Sequence, residues 1–295
     1  MTLPFALQDA APVAADRPAI SGAVDFVIVG AMRAGTTTLH ALLADHPQIS
    51  MSRDKETDFF IAEKNYSRGL EWYQAQFDPA RPLRGEASPN YAKRLDFPGV
   101  PARLARHAPR ARLIYVVRDP IARAQSQYAH AWNMGDMKVL PQDLMRSDEY
   151  DSLVDVSSYA RQLQEWRAHF PEESILIVDF DQLIAAPQEQ LARILGHIGA
   201  APMQVAELAS HNDMAQLSRV PRPLMRLAHG RLRPLLTAIL GQRARSRLRQ
   251  LLAIAPRRSA PEFPASLCAQ LGRDLAQDCA RFRQMTGMEF RRWPI

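Results

Sequence analysis

The chain has 295 residues, of which 47% are hydrophobic and 23% are charged, and its formal net charge is +6. These values are ordinary for a globular protein and exclude disorder throughout, collagen and coiled coil. No stretch approaches the ~18 consecutive apolar residues that a spanning helix needs, so we predict no membrane span. Two cysteines, Cys268 and Cys279, are too few for a disulfide framework and indicate a reducing compartment, which favours a cytoplasmic location.

Short apolar segments alternate with helical patterns along the chain. After a Pro/Ala-rich tail, which we expect to be flexible over 1–21, strands are predicted at 26–29, 84–86, 113–117 and 175–178. Helices are predicted at 36–45, 68–77, 101–107, 120–132, 158–170, 187–198 and 264–285. Because the strands lack polar alternation, they favour a parallel sheet that is buried on both faces. We therefore expect one domain over 22–295, with a P-loop-like three-layer α/β fold and a helical C-terminal region.

The first predicted strand runs into a turn bounded by glycines, GAMRAG (30–35), and then into three threonines that open a helix (36–38). Free N–H groups at a helix start attract phosphate or sulfate. The Gly-x4-Gly spacing matches the nucleotide P-loop, but Thr36 stands where that motif has lysine, and the basic residue is Arg33. The turn is therefore a candidate anion cradle. A plain strand–turn–helix, whose glycines only permit a tight turn, is the alternative.

A second anion site is predicted where a later strand ends. Arg118 follows strand 113–117, and Ser126 comes eight residues later on the helix that Pro120 opens. Ligands of open α/β sheets bind at the carboxyl edge of the strands, where this arginine and serine could clamp a phosphate. The alternative is an arginine capped by Asp119 and a serine packed on the sheet.

The segment DKETDFF (54–60) places charged residues directly before a Phe-Phe pair. This pattern predicts polar groups at the mouth of a cleft that has an aromatic floor. A solvated loop anchored by Phe59 and Phe60 is the alternative.

Positive charge is concentrated in one stretch. Between Asp213 and Glu262 there are eleven arginines and no acidic residue, so subtracting these eleven from +6 leaves −5 for the rest of the chain. Leucines interleave with the arginines, which favours an Arg-rich helical lid or substrate-binding segment over 200–262. Through 214–261 this segment could contact an anionic acceptor or the surface of a membrane. Nucleic acid is not expected as a partner, because no aromatic residue that could stack on a base lies among these arginines.

Taken together and in this order, the segments resemble the sulfotransferases that use 3′-phosphoadenosine 5′-phosphosulfate (PAPS). The resemblance is closer to the heparan-sulfate-type branch, of which bacterial soluble members look like reduced versions. It rests on the order and spacing of several motifs rather than on any one of them. These are GAMRAGTTTL (30–39), HP (46–47), KETDFF (55–60), NYSRGLEWYQAQF (65–77), GEASPNY (85–91), YVVRDPIARAQSQY (115–128), ILIVDFDQL (175–183) and FRQMTGMEFRRW (282–293).

The resemblance implies roles for individual residues. The 5′-phosphosulfate of the donor would be held by Arg33, Ala34, Gly35, Thr36, Thr37 and Thr38, and its 3′-phosphate by Arg118, Ser126 and Arg258. Glu56 stands where the branch has its catalytic carboxylate, Arg33 is the second catalytic residue, and Lys55 and Tyr91 are the substrate contacts. Two positions depart from the branch, because its loop lysine is Arg33 here and its second lysine is Ala87.

The implied reaction is in-line transfer of a sulfuryl group from PAPS, a co-substrate, to a hydroxyl or amine, with Glu56 as general base and no metal. The acceptor stays open between a carbohydrate, a lipid and a small natural product. A P-loop kinase or NTPase is one alternative, because Asp179 after strand 175–178 mimics a Mg²⁺ ligand, but its loop lysine is missing. A non-catalytic polyanion or membrane-surface binder, acting through 214–261, is the other.

Overall fold

A parallel sheet organises the chain. In the computed structural model, which describes residues 22–204 and 259–295, five strands pair in the order β2-β3-β1-β4-β5, all parallel. The strands are β1 (Phe26–Gly30), β2 (Ile49–Met51), β3 (Leu83–Ala87), β4 (Arg112–Val117) and β5 (Ile175–Asp179). Every residue of β1 is buried, as expected for an apolar strand that is covered on both faces. The predicted α/β fold with a central parallel sheet is confirmed.

Helices cover the sheet. They are α1 (Thr36–Ala44), α2 (Gly69–Gln74), α3 (Val100–His107), α4 (Pro120–Met134), α5 (Asp148–Ser157), α6 (Tyr159–Arg167), α7 (Phe180–Ala185), α8 (Pro187–Ile198) and α9 (Ala265–Thr286). α1 packs beside β1, β2 and β3, and α8 beside β4 and β5, whereas α9 contacts α4, α5 and α6. Asp278 of α9 accepts the N–H groups of Ala160 and Arg161 at 2.9 and 3.1 Å and so caps the start of α6. The C-terminal helix is thereby joined to the helical layer.

The predicted elements differ from the observed ones in short segments. β2 lies outside the predicted strands, because three residues are too few to show a periodicity. The predicted helix over 68–77 is a 3₁₀ turn at Tyr66–Arg68 followed by α2, and the chain changes direction at Gly69, the first residue of α2, which has a φ of 80°. α5 and α7 also lie outside the predicted helices, since acidic residues interrupt the apolar pattern of α5 and α7 has only six residues.

β1 ends in the middle of the carboxyl edge of the sheet. Its neighbours are β3 on one side and β4 on the other, so the crevice at its end is where α/β folds bind ligands. The register with β4 shifts between Ile28 and Gly30, and the chain leaves the sheet there. The N–H of Ala31 still donates to the carbonyl of Val116 at 2.6 Å. The turn after β1 is therefore fixed against the end of β4.

Two predicted features lie outside the described residues. They are the flexible tail over 1–21 and the part of the Arg-rich segment that includes Arg258. The single domain over 22–295 stays a prediction.

Among the helices of 22–204 and 259–295, none is both long and apolar enough to cross a membrane. Cys268 and Cys279, both on α9, are free thiols.

Candidate active site

The turn between β1 and α1 has the backbone of an anion cradle. Arg33, with a φ of 69°, and Gly35, with a φ of 90°, lie in the left-handed region, which is typical of turns whose N–H groups form a concave nest. α1 then begins at Thr36, with no acidic residue in its first turn and no side-chain cap. Its first N–H groups therefore offer partial positive charge to an anion without a competing carboxylate.

Gly35 is required at its position for two reasons. Its φ of 90° is strained for any residue with a side chain, and a Cβ there would lie 2.5 Å from two ring atoms of Phe180. The ring of Phe180, the first residue of α7, also receives the guanidinium of Arg118 at 5.2 Å from its centroid. One aromatic ring thus contacts both predicted anion sites.

Arg33 connects the cradle with the second predicted anion site. Its Nε donates a hydrogen bond to Ser126 Oγ on α4 at 3.1 Å. Burial and then the nearby charge of Arg118 lower the pKa of Arg33, whereas Glu56 raises it. The structure therefore brings together side chains that the sequence predicted separately, from the turn, the β4–α4 junction and the 54–60 segment. Two guanidinium groups whose charges interact attract a ligand with more than one negative charge.

Glu56 lies beside this group on an irregular segment. Lys55 Nζ contacts Glu56 Oε1 at 2.7 Å, and the two side chains are 21% and 40% exposed. Part of the carboxylate is therefore open to a second molecule. Its charge raises the pKa of Arg33, so the two groups interact electrostatically. This arrangement suits a carboxylate that accepts a proton next to a bound anion.

His40, on α1, is electrostatically coupled to the Lys55–Glu56 pair. Burial, followed by Lys55, lowers its pKa to about 4. Its Nε2 is buried without a hydrogen-bond partner. The imidazole is therefore neutral at pH 7, and the charges of the site come from the arginines, Lys55 and Glu56.

The other predicted residues of the cradle differ in burial. Ala34 and Thr36 are 0% and 4% exposed, so their side chains cannot reach a ligand. The N–H of Ala34 donates to the carbonyl of Ala31 at 3.1 Å, so it closes the turn. Thr37 is exposed and Thr38 is half-buried, so their hydroxyl groups are accessible. The cradle is built mainly from backbone, with Arg33 as its charged side chain.

Two positions near the 55–60 segment, Tyr91 and Ala87, are buried, whereas Glu56 is partly exposed. Tyr91 is buried, and its hydroxyl donates to Glu86 at 3.1 Å, so it lies behind the segment and its contact with a substrate stays a prediction. Ala87 is fully buried and carries no charge where the resembling branch has lysine. Within 22–204 and 259–295, no three His, Cys, Asp or Glu residues are grouped so that they could hold a metal ion.

Asp179 ends β5, where the kinase alternative needs a carboxylate for Mg²⁺. Its side chain instead accepts the N–H of Asp181 at 3.0 Å and caps α7. The side chain is buried, and burial raises its pKa. A carboxylate engaged in capping a helix gives the kinase alternative no support.

Two buried charged residues beside the site, Glu86 and Arg123, were not among the predicted ones. Arg123 is fully buried and donates to four neutral acceptors: Ser157 Oγ at 2.9 Å, Gln127 Oε1 at 2.6 Å, and the carbonyls of Leu153 and Met32 at 3.0 and 3.5 Å. Because Met32 belongs to the turn, a buried cation adjoins the cradle. The only sequence signal is an arginine one turn into the helix that follows Arg118.

Comparisons with known proteins identify the family of this chain. A family model described as a sulfotransferase domain matches residues 23–221. Human bifunctional heparan sulfate N-deacetylase/N-sulfotransferase 2 is 31% identical over 199 residues, which cover 60% of this chain and 22% of the relative. Mouse heparan sulfate glucosamine 3-O-sulfotransferase 5 is 28% identical over 189 residues, which cover 60% of this chain and 53% of the relative. The chain thus spans about half or less of the length of these relatives.

Among solved structures, a sulfotransferase from Alicyclobacillus acidocaldarius is similar with a TM-score of 0.67, at 20% identity, over 91% of this chain and 99% of that chain. At this identity the similarity shows the fold alone. The family model matches more than half of the chain and includes the cradle, Arg118 and Glu56. The chain therefore belongs to the sulfotransferase domain family.

Proposed function

We propose that this protein transfers a sulfuryl group from PAPS to a hydroxyl or amine of a carbohydrate acceptor. The observation that carries the proposal is the position of Arg33, which bonds Ser126 and is electrostatically coupled to both Arg118 and Glu56. PAPS has anionic groups at both ends of its ribose, and two neighbouring arginines at the edge of the sheet are complementary to it. The same arginine adjoins a carboxylate that can serve the acceptor.

The two anionic ends of the donor are assigned to different elements. Of the predicted residues 33–38, Arg33 and the N–H groups of 35–38 would bind the 5′-phosphosulfate, and the start of α1, which has no side-chain cap, supports this assignment. The N–H of Ala34 donates instead to the carbonyl of Ala31. Arg118 and Ser126 would bind the 3′-phosphate. Arg258, which lies outside the described residues, is kept as a proposed third contact.

The chemistry needs a proton acceptor on one side and a site for negative charge on the other. A bond forms between sulfur and the acceptor's oxygen or nitrogen, while the bond between sulfur and the bridging oxygen of the 5′-phosphate breaks. Arg33 and the N–H groups of the turn stabilise the charge that grows on that bridging oxygen. Glu56 takes the proton that the acceptor loses. Lys55, 2.7 Å from Glu56, is the proposed acceptor contact.

The class of acceptor is proposed from the relatives. One is named for N-sulfation and the other for 3-O-sulfation of heparan sulfate, and this supports a carbohydrate with either an amine or a hydroxyl as nucleophile. Both nucleophiles carry a proton that a carboxylate such as Glu56 can accept.

Calorimetric titration tests the donor site. Adenosine 3′,5′-bisphosphate should bind roughly tenfold or more tightly than adenosine 5′-monophosphate, because the 3′-phosphate adds charge-assisted hydrogen bonds. Arg118→Ala should remove this preference, whereas Arg106→Ala, which changes an exposed arginine of α3, should keep it. Equal binding of the two nucleotides to the wild-type protein would refute the assignment of the donor.

Glu56→Gln tests the proposed base. The variant should bind the bisphosphate about as tightly as the wild type, while transfer from PAPS to an N-deacetylated heparan oligosaccharide should fall by ~10²–10⁴-fold. Glu71→Gln, at an exposed position of α2, is the matched control. Undiminished transfer by Glu56→Gln would rule out this residue as the base.

A further inference from the structure

Glu86, near the end of β3, is a fully buried carboxylate that the proposed reaction does not use. Four hydroxyl groups donate to it: Tyr73 at 2.7 Å, Ser88 at 3.1 Å, Tyr91 at 3.1 Å, and Thr57 through a short bond. Because these donors replace the water that burial removes, a carboxylate can be kept inside the fold. The four hydroxyls come from segments before and after β3, so folding is needed to assemble them.

Three of these hydroxyls make a second hydrogen bond, to the backbone that follows Glu56. Each accepts the N–H of one of three consecutive residues: Ser88 Oγ from Asp58 at 3.1 Å, Thr57 Oγ1 from Phe59 at 3.3 Å, and Tyr91 Oη from Phe60 at 3.2 Å. Glu86 is therefore linked through hydroxyl groups to three amides in a row.

The carboxylate determines where the hydroxyl protons point, so that lone pairs and not protons face the amides. A hydroxyl group has one proton, and a hydroxyl that gives this proton to Glu86 has only lone pairs left to offer. Those lone pairs point to the amides of residues 58–60. An ionised carboxylate accepts only, so it keeps all the hydroxyls oriented as donors toward itself and as acceptors toward the backbone.

The 55–60 segment depends on such bonds because it lacks regular structure. Residues 55–58 belong to no helix or strand, and Asp58 has a φ of 46°, in the left-handed region that a residue with a side chain seldom adopts. Strained backbone of this kind persists where its surroundings fix it. Here the hydroxyls around Glu86 fix the backbone. The amides that they hold begin two residues after Glu56.

We propose that Glu86 is a positioning residue for the 55–60 segment: by orienting three hydroxyl groups it fixes the amides of residues 58–60 and so directs Glu56 toward Arg33. The catalytic part of this inference rests on the proposed function, in which Glu56 is the base. The structural part, the fixing of the three amides, does not.

Residue-resolved amide exchange of Glu86→Gln at pH 8, where a pKa of about 7 leaves Glu86 mostly ionised, tests the structural part. The amide of glutamine donates as well as accepts, so the two hydroxyls that face its NH₂ group must turn. Exchange should rise roughly tenfold or more at residue 60 if that group replaces Oε1, or at residues 58 and 59 if it replaces Oε2. Tyr73→Phe is the matched control, because Tyr73 donates to Glu86 without accepting an amide from the segment. Unchanged exchange at 58–60 in Glu86→Gln, or an equal rise in Tyr73→Phe, would overturn the proposal.

Kinetics test the catalytic part. With an N-deacetylated heparan oligosaccharide as acceptor, Glu86→Gln should lower kcat by about 10²-fold, since displacement of a catalytic group by about 1 Å has this effect. The KM for PAPS and the affinity for adenosine 3′,5′-bisphosphate should stay within about twofold, because the cradle is untouched. A raised KM with an unchanged kcat would contradict the proposal.

If the wild-type protein shows no transfer, the proposed function fails, and the exchange result still decides whether Glu86 positions the segment.

Two further variants apply if Glu86→Gln does not fold. Ser88→Ala should raise exchange at residue 58 alone, and Thr57→Val should raise it at residue 59 alone, because each removes one hydroxyl that holds one amide. Exchange that rises over the whole chain, or at neither amide, would contradict the proposed arrangement.

Discussion

The raised pKa of Glu86 predicts how the stability of the fold changes with pH. Its pKa is raised from 4.5 to about 7 by burial, against the opposing effect of its four hydroxyl partners. Between these two values the folded chain holds a proton that the unfolded chain has released. A difference of about 2.5 pKa units corresponds to about 3 kcal/mol, of which about 2–3 kcal/mol is lost between pH 5 and pH 8.

The sign follows from the direction of the shift. Because the folded pKa is raised, the contribution to stability is complete below about pH 4.5 and disappears as the pH rises through about 7. Tyr73 and Tyr91 stay protonated in this range, since burial, followed by the charge of Glu86, raises their pKa values well above 10. Arg84, the cation that acts on Tyr73, is paired with Asp25 at 3.0 Å. Glu86 is therefore the member of this cluster whose charge changes near neutrality.

Urea unfolding of the wild type and Glu86→Gln at pH 5 and pH 8 measures the effect. Glutamine does not ionise, so the unfolding free energy of the variant relative to the wild type should increase by about 2–3 kcal/mol from pH 5 to pH 8. Taking the difference in unfolding free energy between the two proteins removes the contribution of other carboxyls whose pKa values are raised. These are Asp119, Asp179 and Asp278. If the two proteins change in parallel with pH, the burial argument for Glu86 is refuted.

Three other predictions concern the cradle, a helix cap and His40. Gly35→Ala should weaken bisphosphate binding in calorimetry and cost ~1–3 kcal/mol in urea unfolding, because its Cβ would lie 2.5 Å from Phe180; unaltered binding would contradict this. Asp278→Ala should cost ~1–2 kcal/mol, since α6 loses its cap, and equal unfolding midpoints would count against it. In an NMR titration His40 should titrate near pH 4, and Lys55→Met should raise that midpoint; a wild-type midpoint near 6.5 would contradict it.

The sheet and the cradle could be predicted because their signals are local. Strands β1 and β4 each contain an unbroken apolar run. The turn after β1 has its glycines, arginine and threonines in one continuous stretch. The carboxyl ends of parallel strands meet at one edge, so Arg118 and the turn could be expected near each other. The hydrogen bond between Arg33 and Ser126 confirms the proximity of the two segments.

The surroundings of Glu86 could not be predicted, because their signal is not local. Its partners come from the 55–60 segment, α2, Ser88 and the 3₁₀ turn after β3 (Pro89–Ala92), and none of them is marked by spacing in the sequence. A glutamate in a short strand is usually taken as a solvated residue, and only the folded structure shows that hydroxyls enclose it. Tyr91 shows the same difficulty, since its phenol could be expected at a substrate but contacts Glu86.

Two buried ionisable side chains lie on either side of the strand that carries the cradle. Glu86 is on β3, Arg123 follows β4, and β1 lies between those two strands. The partners of both are neutral hydrogen-bonding groups, so neither charge is cancelled by a direct ion pair with the other. In the proposed reaction, negative charge moves from the acceptor, at Glu56, toward the phosphate in the cradle. The Arg123 guanidinium, beside the cradle, would stabilise the charge that arrives there. Glu86, whose charge changes near pH 7, acts instead by positioning the 55–60 segment.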